Sequence, residues 1–348
     1  MDPTTPISVL CGSLADLFPV FDRLERGQSI LLGAPSSDSF AAPPAGTCLG
    51  VRSSGSTGIP KILWRRWESL RAEVRSHPEI SAWRWASPFR PESFAGVQAA
   101  LQAWATGGSI TSLDNQWSQT WDRALSKPWQ ALSCTPTYLD LLLQNEPSAE
   151  PPPDPLQITL GGEVLRPVCG ARFARRFPKT RFTVIYASAE WGVLLKTHRL
   201  DGWYEVESLE RRYPRWRVQG DILELPDAQG AWCSTSDRVE QDDQLLRVVG
   251  RADRVANVAG TKINLDEIGR LAESIPGIRR ALAVAEPNPI TGQIIVLRYA
   301  SEGGLGTDPD GLEQRLSTAL RGLLPKPAWP RKWIRDELQP GANAKRAI

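Results

Sequence analysis

The chain has 348 residues, of which 41% are hydrophobic and 23% are charged, and its formal net charge is +2. This length favours about two domains, and the composition is that of a soluble globular protein. Charges so close to balance give no reason to expect a nucleic-acid partner or an acidic tail.

The cysteines and histidines do not form a metal or disulfide pattern. The two histidines lack ligand partners at metal spacing, and the five cysteines are scattered: Cys11, Cys48, Cys134, Cys169 and Cys233. We therefore expect neither a zinc site nor a disulfide framework, and a reducing cytoplasm fits this usage. No apolar run approaches the roughly 20 residues of a membrane span, and the first residues lack the basic region of a signal peptide.

The first 52 residues predict a few short elements. A helix is expected over 13–26 and a strand over 30–32, and a connector rich in Ser, Ala and Pro follows over 34–46. Residues 48–52 predict a second strand, which leads directly into a run of glycines and hydroxyl residues.

That run is a candidate anion-binding loop. The residues expected to hold the anion are Ser53, Ser54, Gly55, Ser56, Thr57, Gly58 and Lys61. Glycines reach positive φ, successive N–H groups can form a nest, and a lysine adds a mobile point charge. The pattern is not the Walker motif, because the lysine stands behind a proline and well beyond the last glycine. A flexible linker is the alternative interpretation.

The run resembles the phosphate-binding signature of the adenylate-forming superfamily, Ser/Thr-Ser/Gly-Gly-Ser/Thr-Thr-Gly-x-Pro-Lys, throughout residues 53–61. That family includes acyl- and aryl-CoA ligases and the adenylation domains of peptide synthetases. The resemblance implies that the loop binds ATP, that Thr57 also contacts magnesium and that Lys61 is catalytic. Relatives carry a longer segment before this loop, so we expect a shortened N-terminal subdomain here.

The next segment is the expected substrate side. Residues 64–81 predict a helix with one apolar face. Residues 85–96 resemble the family segment in which an aromatic side chain abuts the acyl substrate. The resemblance makes Phe94 a candidate for the acyl pocket, together with Ala187 further along the chain. A helix is expected to continue from this segment to residue 104.

A strand–turn unit follows that resembles the family's adenine-binding turn. Strands are predicted over 131–134 and 156–160, and helices over 135–143 and 166–177. The turn that leaves the second of these strands consists of Gly161, Gly162 and Glu163. The resemblance implies that the adenine lies against this turn.

A further strand, residues 182–186, runs into a segment that resembles the family's Tyr-Gly-x-Thr-Glu. The resemblance implies that Tyr186 and Ser188 contact the nucleotide. It also implies that Glu190 is a catalytic carboxylate that holds Mg²⁺ with waters and phosphate oxygens. Ala189 stands where the family has Thr, so Ser188 is a candidate to replace the lost hydroxyl.

The predicted ribose contacts come next. Four short strands are expected at 191–196, 203–206, 216–218 and 222–225. Thr235-Ser236-Asp237 then resembles Thr-Gly-Asp, with Ser236 in place of Gly. The resemblance implies that Asp237 accepts hydrogen bonds from both ribose hydroxyls and that Arg251 also holds the ribose.

The block over 250–268 resembles the family's hinge motif, Gly-Arg-x-Asp followed by Gly-x-x-Ile-x-x-x-Glu-Ile. The resemblance implies a hinge at Asp253. The resemblance also implies that the loop of Gly260, Thr261 and Lys262 serves thioester formation, the second of the family's two reaction steps, which follows acyl-adenylate formation. Residues 338–345 resemble the family's terminal motif, Leu-Pro-x-x-x-x-Gly-Lys. The resemblance implies that Lys345 is catalytic and contacts the reacting carboxylate, and a frayed surface charge is the alternative.

The C-terminal part predicts helices over 264–275 and 312–323 and strands over 281–285 and 293–299. The expected fold class is α/β, mixed α+β. It comprises a large adenylation domain of layered sheets and helices, residues 1–250, shortened at its N-terminus, and a small mobile α+β lid domain, residues 251–348.

The resemblance implies an AMP-forming acid–thiol ligase that uses ATP and Mg²⁺ and takes CoA as a substrate. The specific expectation is a 2-succinylbenzoate–CoA ligase of menaquinone and phylloquinone synthesis, located in the cytoplasm, with a homodimer as the candidate assembly. The alternatives are another aryl- or acyl-CoA ligase, an adenylating enzyme that loads a carrier protein, and a degenerate non-catalytic nucleotide-binding protein.

Overall fold

The computed structural model describes residues 6–33, 43–53, 61–113, 117–146, 153–188, 190–227, 229–252, 254–301 and 311–336. Residues 54–60 of the predicted phosphate loop, Ala189, Asp253 and Lys345 lie outside these ranges, as do the side chains of Ser53 and Lys61. The chain forms two compact units, one from Met1–Pro214 with Asp242–Arg247 and the other from Arg215–Gln241 with Val248–Ile348. The domain boundary at residue 250 and the mobility of the lid stay predictions.

The first unit begins with a small sheet. Its elements are β1 (Ile7–Val9), α1 (Leu17–Glu25), β2 (Ile30–Leu32), β3 (Cys48–Ser53) and β4 (Lys61–Arg66), and its strand order is β1-β2-β3-β4. β3 and β4 pair antiparallel from Cys48↔Arg66 to Ser53↔Lys61. The predicted strand before the phosphate loop is therefore confirmed, and both strands flanking the loop belong to one hairpin.

The helix predicted over residues 64–81 is largely wrong. Residues 64–66 complete β4, α2 covers only Trp67–Ala72, and a short 3₁₀ turn follows at Pro78–Ile80. Pairing with β3 overrides the helical pattern of these residues. The Trp64 ring packs directly over its cross-strand partner Gly50, where an added Cβ would lie 2.8 Å from Trp64 Cζ3.

The centre of the first unit is a six-stranded sheet of order β10-β9-β8-β7-β5-β6. Its elements are β5 (Arg84–Ser87), α3 (Phe94–Ala105), β6 (Ser109–Ser112), α4 (Trp117–Ser126), β7 (Ala131–Cys134), α5 (Pro136–Gln144), β8 (Gln157–Leu160), α6 (Pro167–Arg176), β9 (Arg181–Ser188) and β10 (Gly192–Thr197). β5 to β9 pair parallel, and β10 is antiparallel to β9. The carboxyl ends of the parallel strands therefore share one edge, where ligands bind in open α/β sheets.

Aromatic side chains fill the core between α1, α2 and α3. The rings of Phe21, Trp67 and Trp104 lie 5.6–6.0 Å apart between centroids, and Trp104 Nε1 donates to Asp22 Oδ1 at 3.1 Å. These tryptophans serve packing. β11 (Tyr204–Glu205) and α7 (Glu207–Arg212) complete this part of the unit, and the sequence did not predict α7.

The remaining elements are β12 (Arg217–Gln219), β13 (Ile222–Pro226), β14 (Trp232–Asp242), β15 (Leu245–Arg251), β16 (Val255–Val258), β17 (Thr261–Asn264), α8 (Leu265–Glu273), β18 (Ile278–Asn288), β19 (Gly292–Ser301), α9 (Leu312–Leu323) and β20 (Lys332–Arg335). α8, α9 and the sheet β18-β19-β20 enclose a second core that includes Ile268, Leu297 and Leu316. The predicted α+β order is confirmed, whereas β14, β15, the β16–β17 hairpin and β20 were not predicted.

Candidate active site

The carboxyl edge of the central sheet brings two predicted nucleotide-binding segments together. Leu160 at the end of β8 pairs with Val184 in β9, so the turn after β8 lies beside the last residues of β9. Gly162 adopts a φ of +79°, and a Cβ there would lie 3.6 Å from Thr135 Cγ2 and 3.7 Å from Phe89 Cε1. The turn therefore requires a glycine for its backbone conformation and adjoins the segments that follow β5 and β7.

Glu163 in this turn has a structural task that the sequence did not predict. Its Oε2 accepts hydrogen bonds from the Thr137 hydroxyl and from the Thr137 backbone N–H, the latter at 3.3 Å. Thr137 lies in the first turn of α5, where Thr135 Oγ1 also accepts from Tyr138 N at 3.1 Å. A carboxylate at a helix N-terminus satisfies free N–H groups and interacts favourably with the helix dipole. The adenine contact of Gly161, Gly162 and Glu163 stays a prediction.

The turn that carries Glu190 is fixed through its backbone. Arg65 Nη1 donates to the Glu190 carbonyl at 3.1 Å, and Ser188 Oγ accepts from the Trp191 backbone N–H at 3.1 Å. Tyr213 Oη donates to the Trp191 carbonyl at 3.2 Å. Glu190 itself is exposed. Ser188 thus binds the turn, while the predicted contact of its hydroxyl with a phosphate is a separate expectation.

An exposed carboxylate of this kind fits a Mg²⁺ ion that is bound mostly by phosphate oxygens and water. Mg²⁺ commonly takes only one or two protein carboxylates when it accompanies a nucleotide. Among the described residues, no group of three or more His, Cys, Asp or Glu side chains could hold a metal ion by itself.

A buried ionic cluster lies beside this turn. We call Arg65, Glu73 and Arg212 the arginine cluster. Glu73 Oε1 lies 2.6 Å from Arg212 Nη1 and 3.7 Å from Arg65 Nη2, and Gln98 Nε2 donates to Glu73 Oε2. The side chains of Glu73, Arg65 and Arg212 are 7%, 11% and 31% exposed. Burial lowers the pKa of the Arg65 guanidinium, because the charged form has lost much of its water.

The arginine cluster can lie beside the Glu190 turn because residue 192 is glycine. Gly192 has a φ of +76°, and a Cβ there would lie 2.4 Å from Arg65 Nη2 and 2.9 Å from both Arg212 Nη2 and Glu73 Oε1. Sequence analysis missed all three members of the cluster. One signal was available: Arg65 follows Leu63 on the same face of β4, and Leu63 packs on the hydrophobic core.

The predicted acyl-pocket residues lie on separate elements. Phe94 is the first residue of α3, whose N-cap Ser93 accepts from Gly96 N at 3.0 Å, and Ala187 in β9 pairs with Val193. Arg65 Cζ lies 5.6 Å from the centre of the Phe94 ring. The arginine cluster therefore contacts the candidate substrate side as well as the Glu190 turn, and the pocket itself stays a prediction.

The two predicted ribose residues lie together in the second unit. Asp237 is buried, and its Oδ1 lies 3.3 Å from Arg251 Nη1. Thr235 Oγ1 accepts from the Asp237 N–H at 3.2 Å. Ser236, which stands between Thr235 and Asp237, has a φ of +61°, a conformation in which glycine is favoured.

The predicted hinge and thioesterification segments are also in the second unit. Asp266 accepts from the Arg251 backbone N–H at 3.2 Å and from Arg254 Nε at 3.0 Å, so it binds the chain on both sides of Asp253. The predicted loop of Gly260, Thr261 and Lys262 begins at the turn of the β16–β17 hairpin, and all three residues are exposed. Their proposed roles in the second reaction step stay predictions.

Comparison with known proteins supports the fold. No family model matches the chain. Phenyloxazoline synthase MbtB from Mycobacterium tuberculosis is 24% identical over 344 residues, which cover 82% of this chain and 24% of that protein. The chain spans a quarter or less of the length of the curated relatives it matches.

Two solved structures have a similar fold over nearly the whole chain. The anthranilate CoA ligase AuaEII in complex with anthranoyl-AMP is 12% identical with a TM-score of 0.66, covering 94% of this chain and 73% of that one. A variant of E. coli MenE with bound OSB-AMS is 18% identical with a TM-score of 0.64, covering 91% and 75%. The predicted mixed α/β fold of adenylate-forming enzymes is confirmed.

No helix of the described residues is long and apolar enough to cross a membrane.

Proposed function

We propose that the chain is an ATP-dependent acid–thiol ligase that works through an acyl-adenylate. The observation that carries this proposal is the carboxyl edge of the central sheet, where the Gly161–Glu163 turn and the strand ending in Tyr186 and Ser188 lie side by side. The same edge continues into the turn with the exposed Glu190 carboxylate. A nucleotide and its metal ion fit such an edge of an open α/β sheet.

The first step joins a carboxylate to the α-phosphate of ATP and releases pyrophosphate. No side chain has to act as the nucleophile, so the protein contributes positioning and charge stabilisation. Lys61 and the loop over 53–58 would bind the β- and γ-phosphates, and Lys345 would contact the reacting carboxylate and the α-phosphate. Glu190 would hold Mg²⁺, which supplies neutralisation of the phosphate charge when it is bound.

The ribose would bind at Asp237 and Arg251. The buried Asp237 carboxylate has an ionic partner in Arg251 at 3.3 Å and is a charged acceptor suited to two hydroxyl groups. In the second step a thiol, which we propose is that of CoA, attacks the acyl carbonyl and releases AMP. The chain would use Asp253 as a hinge and the Gly260–Lys262 loop for this step.

For the carboxylic acid we propose 2-succinylbenzoate, which would place the enzyme in menaquinone or phylloquinone synthesis. The support for an aromatic acid is the similarity in fold to MenE with OSB-AMS and to AuaEII with anthranoyl-AMP. Phe94 beside Arg65 is an aromatic surface at the candidate substrate side. We also propose that the chain is cytoplasmic and forms a homodimer, and light scattering of the purified chain would test the dimer.

Pyrophosphate release is the assay that tests the proposal. The purified chain is incubated with MgATP and a panel of acids that contains 2-succinylbenzoate, anthranilate, malonate and a fatty acid, without and with CoA. We expect acid-dependent pyrophosphate release, with the largest kcat/KM for 2-succinylbenzoate, and loss of this release in Glu190→Gln. ATP binding with no pyrophosphate release for any acid would refute catalysis and leave a nucleotide-binding protein.

A further inference from the structure

The Glu190–Trp191 peptide is held at both of its polar atoms. Its carbonyl oxygen accepts from Arg65 Nη1 at 3.1 Å, and its N–H donates to Ser188 Oγ at 3.1 Å. Because a peptide unit is planar and rigid, fixing both atoms fixes the orientation of the whole unit. The same unit begins at the Cα of Glu190, so these two hydrogen bonds restrict the direction in which the Glu190 side chain leaves the backbone.

Arg65 is a costly residue for a simple packing role. Its side chain is 11% exposed, and a charged group loses solvation free energy when it is buried. Glu73 compensates the buried positive charge through its Oε1, while its Oε2 accepts a hydrogen bond from Gln98 Nε2. Residue 192 is glycine, which leaves room for the guanidinium. A leucine at position 65 would fill the same inward-facing position of β4 without these compensations.

Arg65 also links three parts of the candidate site. It belongs to β4, the strand that begins at Lys61, where the predicted phosphate loop ends. Its guanidinium lies 5.6 Å from the centre of the Phe94 ring. Its hydrogen bond to Glu190 adds the turn after β9. One rigid, planar group therefore contacts the segment proposed for the metal and the aromatic residue proposed for the acid, and it lies on the strand that follows the phosphate loop.

We propose that Arg65 is a positioning residue that orients the Glu190 carboxylate towards the divalent cation of the bound nucleotide through its hydrogen bond to the Glu190 carbonyl. This inference rests on the proposed function, because it requires Glu190 to be a metal ligand. Glu73, which itself accepts a hydrogen bond from Gln98, pairs with the guanidinium and holds it in place, and this role of Arg65 needs no direct contact with the metal ion.

Metal binding tests the proposal without turnover. Mn²⁺ replaces Mg²⁺ as the probe, and its free concentration is followed by electron paramagnetic resonance in the presence of protein and the non-reactive analogue α,β-methylene-ATP. We expect Arg65→Met to weaken Mn²⁺ binding about 10-fold, within the range for residues that orient metal ligands. Arg65→Lys keeps the charge beside Glu73 but not the planar donor geometry, so we expect an intermediate loss.

A double mutant separates positioning from general loosening of the fold. If Arg65 acts through Glu190, Arg65→Met adds no further loss of Mn²⁺ affinity in a Glu190→Gln background. Arg71→Met is the matched control, because Arg71 also has a carboxylate partner, Glu25 at 2.9 Å, and an aromatic ring, Trp104 at 5.2 Å. We expect this control to bind Mn²⁺ like the unmodified chain.

The outcomes distinguish the two proposals. Unchanged Mn²⁺ affinity in Arg65→Met, or an equal loss with and without Glu190, would overturn the role of Arg65 while leaving Glu190 as a ligand. Unchanged affinity in Glu190→Gln would overturn both the metal assignment and the inference. If Arg65→Met does not fold, the double variant Arg65→Met/Glu73→Gln is tested in its place, with the same expected loss. It removes the two most buried charges of the cluster and leaves Arg212, which is 31% exposed and can regain hydration.

Discussion

Replacing Glu73 by alanine should destabilise the first unit strongly, because the substitution leaves two guanidinium groups without their shared carboxylate. Glu73 is 7% exposed and lies 2.6 Å from Arg212 Nη1 and 3.7 Å from Arg65 Nη2. Removing one partner of a buried ion pair typically costs about 3–5 kcal/mol. Arg212 is partly exposed and can regain some hydration, so we expect a loss near the lower limit, about 3 kcal/mol.

Urea unfolding followed by tryptophan fluorescence measures this free energy of unfolding. The matched control is Glu25→Ala, because Glu25 pairs with Arg71 at 2.9 Å but both side chains are 40% or more exposed. Exposed pairs contribute about 0–1 kcal/mol, so the control should lie within that range. The double variant Arg65→Met/Glu73→Gln should be more stable than Glu73→Ala, since it also removes Arg65, the more buried of the two guanidinium groups that Glu73→Ala leaves unpaired.

A loss below about 1 kcal/mol for Glu73→Ala would refute the reasoning. Such a result would mean that water reaches the guanidinium groups and that the arginine cluster behaves as an exposed ion pair. A double variant that is less stable than Glu73→Ala would also contradict the reasoning. It would mean that the Arg65 guanidinium stabilises the fold even without its carboxylate partner.

Three further predictions concern a strained backbone position, the reactivity of the cysteine thiols and the lysine matched to the family's terminal motif. Ser236→Gly should stabilise the second unit by up to about 1 kcal/mol in urea unfolding, since Ser236 has a φ of +61°, and a destabilised variant would contradict this. Cys233 should be the one thiol that reacts rapidly with a disulfide reagent at pH 8, because the other four cysteines are buried. Burial raises the pKa of Cys11 to about 11, so its thiolate should appear only as the pH approaches that value, and rapid labelling of several thiols at pH 8 would refute this prediction. Lys345→Ala should reduce acyl-adenylate formation about 10²–10³-fold while thioester formation from supplied acyl-adenylate continues, with Lys326→Ala as the control, and equal loss of both steps would contradict the role of Lys345.

The sequence by itself determined the elements whose signals are local. The helix predicted over 312–323 is α9 at both ends, and the strand predicted over 131–134 is β7. Hydrophobic periodicity and strand length lie within such a segment, so no distant partner is needed to recognise them. The turn at Gly161 and Gly162 was placed correctly for the same reason, because glycine pairs interrupt regular structure wherever they stand.

Only the tertiary structure decided the features that depend on distant partners. Residues 64–66 are a strand because β3 pairs with them, although their own pattern favours a helix. Glu163 caps α5 because Thr137 lies beside the turn after β8 in the folded sheet.

The arginine cluster shows the same limit most clearly. Its members come from β4, the residue after α2, and the end of α7, and nothing in the three local sequences indicates that they meet. A buried charge is tolerated only where an opposite charge and hydrogen-bonding groups surround it, and that surrounding exists only after the chain has folded. Local sequence therefore specified most helices and strands, whereas the support of the Glu190 turn was decided by contacts between elements far apart in the chain.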